Sequence, residues 1–160
     1  MKKHTLFILV FIFGCLIFTG CSKDEILGHY NNVIQSVGSL ELTNDLSLKG
    51  TREYGVDHYT GTYNADYKNF SKTEYLFGGT SIKRETRKKI TVTCNLDISE
   101  GTAQLIYVSG SNDPEILTEI SGKYSTTIEL QDGGSYFGVT GDKFTGKINL
   151  AIKDIGESKD

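Results

Sequence analysis

The chain predicts an all-β domain, an antiparallel sandwich or barrel of about nine or ten short strands, and three observations carry that expectation. From Ser39 onward apolar residues recur at every second position, the period of a half-buried strand. Turn signals rich in Gly, Asn and Asp separate these runs at intervals of about 8–12 residues. The single proline, Pro114, falls in a loop between runs and interrupts none of them.

The first 20 residues stand apart from that domain. Lys2, Lys3 and His4 make a basic start, and Leu6 to Phe18 is an uncharged run of 13 residues. A helix needs ~20 apolar residues to cross a bilayer core, so the run is too short for a permanent span and reads as an export signal. It breaks at Thr19-Gly20-Cys21, followed at once by Ser22-Lys23-Asp24-Glu25.

This arrangement resembles the signal peptide of bacterial lipoproteins, with Cys21 at the lipobox cysteine and Gly20 and Thr19 as its small residues. Phe18 stands where that family more often has Leu. Cys15 is the rival cysteine, but bulky Phe13 lies two residues before it and apolar residues follow it. The resemblance implies cleavage between Gly20 and Cys21, a diacylglyceryl group on the Cys21 thiol, and a chain held by lipid on the extracytoplasmic face of a cell membrane. One acyl chain binds a membrane only marginally, and two bind it stably.

Residues 21–160 carry 15 basic and 20 acidic side chains, a net charge of −5. That excludes the basic footprint of a nucleic-acid binder. Beyond Cys21 the only thiol is Cys94, so no disulfide within the exported chain is expected, and with no CxxC and no Cys/His cluster neither is a structural metal. No cofactor is implied.

Residues 21–38 form a tether. Ile26, Leu27, Tyr30, Val33, Ile34 and Val37 share one face at helical spacing, yet Gly28, Asn31 and Asn32 suit a flexible linker equally. The β domain is expected over 39–153. Leu40 and Leu42, then Leu46 and Leu48, alternate with polar neighbours. Tyr59, Gly61, Tyr63, Ala65 and Tyr67 share one face of a long strand. Another runs from Tyr75 to Ile82. The clearest is Lys89–Ile98, with Ile90, Val92, Cys94, Leu96 and Ile98 on one face. Ser99-Glu100-Gly101 reads as a turn, after which Thr102–Ser109 returns. Ile116–Ile120 and Tyr124–Leu130 follow. Ser135–Thr140, a turn at Gly141-Asp142, and a last strand through Phe144, Gly146, Ile148, Leu150 and Ile152 close the domain. Residues 154–160 are a polar tail.

The pattern Gly134, Tyr136, Phe137, Val139, Gly141, Gly146, Ile148, Leu150 is similar to the C-terminal hairpin of jelly-roll or carbohydrate-module-like sandwiches of secreted bacterial proteins. That resemblance implies a jelly-roll-like sandwich and no particular binding residue.

Five of the nine tyrosines, Tyr54, Tyr59, Tyr63, Tyr67 and Tyr75, lie close together and form the candidate ligand platform. The large–small alternation from Tyr59 to Tyr67 suits core packing as well, with hydroxyls reaching partners at the rim. Lys83, Arg84, Arg87, Lys88 and Lys89 are a basic knot, either a solvated hairpin that blunts edge pairing or a contact for anionic lipid or wall polymer. For catalysis the chain offers no G-x-S-x-G and no H-E-x-x-H, and only His29 and His58 beyond the signal. Cys94 reads as a buried hydrophobe. The sequence therefore predicts a non-catalytic binding module whose partner is a cell-wall or extracellular polysaccharide or an envelope protein. The other readings are an envelope hydrolase with loop-borne carboxylates and a protective or inhibitory lipoprotein.

Overall fold

The computed structural model describes residues 40–80, 88–131 and 133–155. Cys21, its Gly20 junction, the tether, and Lys83, Arg84 and Arg87 of the basic knot lie outside the described residues.

Among the described residues there are seven strands, all paired antiparallel: β1 (Gly50–Tyr54), β2 (Gly61–Phe70), β3 (Thr73–Gly79), β4 (Lys89–Ser109), β5 (Glu115–Thr118), β6 (Gly122–Glu129) and β7 (Ser135–Asp154). Two of them, β4 and β7, run unbroken for 21 and 20 residues and pair with each other along nearly their whole length. The expected hairpin turns at Ser99-Glu100-Gly101 and Gly141-Asp142 are not turns. They are bends at the same level of two adjacent strands.

The register of the β4–β7 ladder shifts between Ile98 and Glu100 and again between Glu100 and Thr102. Gly101 adopts φ +71, and Lys143 across from it φ +50. A Cβ on Gly101 would lie 2.3 Å from the Asp142 carbonyl oxygen and 2.4 Å from that of Lys143. Only glycine allows both the φ and the approach. Bulges of this kind bend a strand and increase its twist.

The bend folds one sheet into the two leaves of a sandwich. The first leaf has the order β1, β2, second half of β7, first half of β4, β6. The second has β3, first half of β7, second half of β4, β5. Because β4 and β7 serve both leaves, the seven strands present nine strand segments.

The core lies between the leaves. Ile90, Val92, Cys94 and Leu96 of β4, and Ile148, Leu150 and Ile152 of β7, all at most 2% exposed, point inward from the first leaf. Leu105 and Tyr107 of β4 and Phe137 and Val139 of β7 meet them from the second. Tyr107 stacks on Phe137 at 4.8 Å. Burial pushes the Cys94 thiol up to about 12, so it stays protonated at neutral pH and acts as packing.

The second leaf is apolar on both faces. Its outer residues Ile106, Val108 and Tyr136 pack under Leu40, with Leu42 and Tyr75 alongside. Leu40–Asn44 is thus a covering segment, not the strand its alternation predicted. Leu46 and Leu48 do not extend a strand either. Asn44 Oδ1 accepts from Leu46 N at 2.9 Å and starts a short 3-10 turn at Asp45–Ser47, leaving Leu46 98% exposed.

Candidate functional site

The five platform tyrosines do not form one surface. Tyr59, Tyr63 and Tyr67 are at most 6% exposed: Tyr63 and Tyr67 lie on the inner face of β2, and Tyr59 lies in the turn before it, outside the strand its alternation predicted. Tyr75 is half-buried on the outer side of the second leaf, edge-on to Tyr136 at 6.0 Å. Tyr54, 39% exposed, remains.

What fills the interior around these tyrosines is a charged group that strand alternation does not mark. Glu74 of β3 is 3% exposed. Its Oε2 accepts from the Tyr63 hydroxyl at 2.9 Å and the Tyr67 hydroxyl at 2.7 Å, and its Oε1 accepts from Lys49 N at 3.0 Å. The two hydroxyls are 3.2 Å apart. Buried carboxylates persist only when bonded in this way. Burial, with the Glu74 charge adding to it, pushes both phenols far above their ordinary value, so they stay protonated and keep donating. The cluster ties β2 to β3 across the core.

Arg52, whose side chain is 3% exposed, makes the neighbouring clasp. It donates to the carbonyls of Leu76 (2.9 Å) and Thr43 (2.8 Å) and pairs with Asp45. Its guanidinium carbon sits 4.9 Å from the centroid of the Tyr54 ring, a cation–π contact. His58 meets the same ring edge-on at 4.6 Å, and Phe77 does so at 6.1 Å. Tyr54 is therefore an aromatic ring that is exposed and held from three sides. Burial raises its phenol and Arg52 partly lowers it.

Tyr54 lines a hollow of about 460 Å³ where β1 ends, β2 begins and β7 ends. Val56, Thr60, Thr62 and Ile152 line it with Tyr54, and Glu53, Lys153 and Asp154 contribute charged groups. The turn that shapes it is fixed locally: Asp57 Oδ1 accepts from Tyr59 N at 2.9 Å, and Gly55 N donates to the Thr60 carbonyl at 2.8 Å. The result is an apolar floor with one rigid ring and hydrogen-bonding groups of both signs.

A second hollow, of about 350 Å³, lies on the outer face of the first leaf and is lined by Thr51, Asn64, Asp66, Lys147 and Asn149 among others. Across the strands the register aligns Asn64, Asn149 and Asn95 in one row and Asp66, Lys147 and Asp97 in the next. Lys147 pairs with Asp66 at 2.7 Å, in solvent, where such pairs contribute little.

Of the basic knot, Lys88 is half-buried and Lys89 is exposed at the start of β4, opposite Glu129 of β6. Among the described residues, no three His, Cys, Asp or Glu side chains converge as a metal site would need. No helix among them is long and apolar enough to cross a membrane.

No protein-family model matches the chain, and no curated protein matches its sequence. Among solved structures it is similar to a carbohydrate-binding module of Cellvibrio mixtus lichenase 5A in complex with cellotriose. The identity is 13%, 68% of this chain and 88% of that one are covered, and the TM-score is 0.37. It is similar to a carbohydrate-binding module specific for non-crystalline cellulose at 12% identity, with 72% and 86% covered and a TM-score of 0.36. It is also similar to the accessory secretory protein 1, 2 and 3 structure from Streptococcus pneumoniae, at 11% identity, 72% and 92% covered, and a TM-score of 0.31. At these values the likeness supplies neither a ligand nor a site, and both must come from the geometry of this chain.

Proposed function

We propose that the protein is a non-catalytic binding module, lipid-anchored through Cys21 on the extracytoplasmic face of a bacterial membrane, that holds an envelope or extracellular polysaccharide in the Tyr54 hollow. The observation that carries the reading is the ring itself, exposed yet held by Arg52, His58 and Phe77 above an apolar floor. A sugar ring has an apolar C–H face and a rim of hydroxyls. Tyr54 and the exposed Val56 suit the face, and Thr62, Glu53, Lys153 and Asp154 can exchange hydrogen bonds with the rim. A preformed site loses little entropy on binding, so even a shallow hollow suffices for modest affinity.

Tyr54→Ala is expected to weaken glycan binding by about tenfold to a hundredfold, the loss of one stacking anchor, while the melting temperature changes little. Affinity electrophoresis on a polysaccharide panel measures the first and thermal melting the second. Tyr75→Ala, away from the hollow, should leave binding intact. Equal affinity of wild type and Tyr54→Ala for a bound glycan would remove the hollow as the site.

The anchor has its own test. Cys21→Ala should abolish lipid mass and membrane fractionation, and Cys15→Ala should change neither. Normal processing of Cys21→Ala would contradict the anchor and leave the hollow untouched.

A further inference from the structure

The edges of the two leaves are unequally protected. In the second leaf, the outer side of β3 is capped by the covering segment, where Thr43 N donates to the Tyr75 carbonyl and Tyr75 N donates to Thr43 Oγ1, both at 2.9 Å. Its other edge, β5, is four residues long. In the first leaf, β1 is five residues long and ends at Tyr54. The opposite edge, β6, is eight residues long, in unbroken register with β4, without proline or bulge, and among the described residues only β4 pairs with it. Sheets rarely leave such an edge unguarded.

The direction of its free groups follows from the ladder. Leu130 N donates to the Lys88 carbonyl at 2.8 Å, so even-numbered residues of this strand bond to β4. The N–H and C=O groups of Lys123, Ser125, Thr127 and Glu129 therefore point away from the sheet. The Glu129 carbonyl accepts from its neighbour Gln131 Nε2 at 3.1 Å, a local bond that a strand could displace.

We propose that this edge joins two copies of the chain, as an antiparallel β6–β6 pair with its two-fold axis at Thr126. In that register Lys123 of one copy faces Glu129 of the other, twice over. Ser125 faces Thr127 on the same solvent side. On the core side Tyr124 faces Ile128, and Thr126 faces itself. Opposite charges, hydroxyl pairs and an aromatic against a β-branched residue are the favoured cross-strand pairs, and all fall into place at once. A slip by two residues in either direction loses the charge pairs. The hollow at Tyr54 lies toward the β1 edge of the same leaf, so dimerisation and glycan binding are independent and can fail separately.

Sedimentation of the full chain in a density-matched non-ionic detergent tests the proposal. Wild type is expected to sediment as a dimer in the micromolar range. Lys123→Glu or Glu129→Lys alone places like charges at both ends and should weaken association about tenfold or more. The double swap should restore it. Both side chains are exposed, so folding, checked by near-ultraviolet dichroism, should be unchanged. Ser125→Pro, which removes an outward N–H together with the exposed hydroxyl contact to Thr93, should also give monomers. Thr126 would face its own copy in a non-hydrogen-bonded pair, with Cα atoms ~4.5 Å apart, within reach of a disulfide. Thr126→Cys should therefore cross-link under mild oxidation beyond the wild-type level. A monomeric wild type, single reversals that remain dimeric, or a double swap that stays monomeric would each overturn the proposal.

Discussion

Val92→Asp is expected to unfold the domain or leave it on the edge of unfolding. Val92 is 0% exposed in the first half of β4, opposite Ile152 of β7 and Thr126 of β6. A carboxylate there has no cation in reach along the ladder and no route to water. The cost of an unpaired buried charge, about 4 kcal/mol or more, is comparable to the whole stability of a small domain, about 5–15 kcal/mol. Thr93, the next residue, points outward, with its Oγ1 3.4 Å from Ser125 Oγ. Thr93→Asp should cost about 0.5 kcal/mol or less. Urea denaturation compares the two, and equal midpoints would mean that the inner face of β4 is misassigned.

The second large effect is expected at Glu74. Glu74→Leu leaves the Tyr63 and Tyr67 hydroxyls and Lys49 N without their shared acceptor. Each stranded buried donor costs about 1–3 kcal/mol, reduced because the two hydroxyls, 3.2 Å apart, can still bond each other. The net loss should be about 3 kcal/mol. Glu74→Gln, which keeps an acceptor oxygen, should cost about half as much. Changing all partners together, with Tyr63→Phe and Tyr67→Phe added to Glu74→Leu, should recover part of the loss, since no donor is then stranded. A Glu74→Leu protein as stable as wild type would contradict the cluster's role.

The two phenols of this cluster and the buried Cys94 thiol together set the alkaline limit. Burial, the first cause in each case, holds the Tyr63 and Tyr67 phenols well above their ordinary value of 10.0 and pushes the Cys94 thiol up to about 12. A raised folded pKa means that the unfolded chain loses its proton first. The contribution is therefore fully present below about pH 9 and is lost progressively as pH rises through the folded values. Unfolding midpoints should fall steadily above pH 9, and Cys94→Ala should delay the onset to about pH 10.

Some of this was legible in the sequence because it is a matter of faces. The alternation Ile90, Val92, Cys94, Leu96 needs only the period of a strand to place four residues inward, and all four are buried. Tyr63, Ala65 and Tyr67 of β2 are the same case. The two bends were not legible, because Ser99-Glu100-Gly101 has the composition of a hairpin turn. What makes it a bend is the matching break around Lys143, more than forty residues away, which keeps β4 and β7 paired on both sides. Glu74 was hidden for a similar reason. It precedes the strand read from Tyr75, whereas β3 begins at Thr73, and only the fold brings Tyr63 and Tyr67 to it. The exposure of Tyr54, alone among the three tyrosines of β1 and β2, likewise depends on where β1 ends and β7 stops.

The most direct test of the central reading is a heteronuclear NMR titration of the protein with a soluble envelope oligosaccharide, followed by an assay for new reducing ends. The expected result is shifts concentrated at Tyr54, Thr60, Thr62 and Ile152, the residues of the hollow, with no new reducing ends. Shifts centred on Asn64, Asn95 and Asn149 instead would move the site to the outer face of the first leaf. Reducing ends that vanish on Glu53→Gln or Asp154→Asn would contradict the binding-module reading outright, since those two carboxylates line the same hollow.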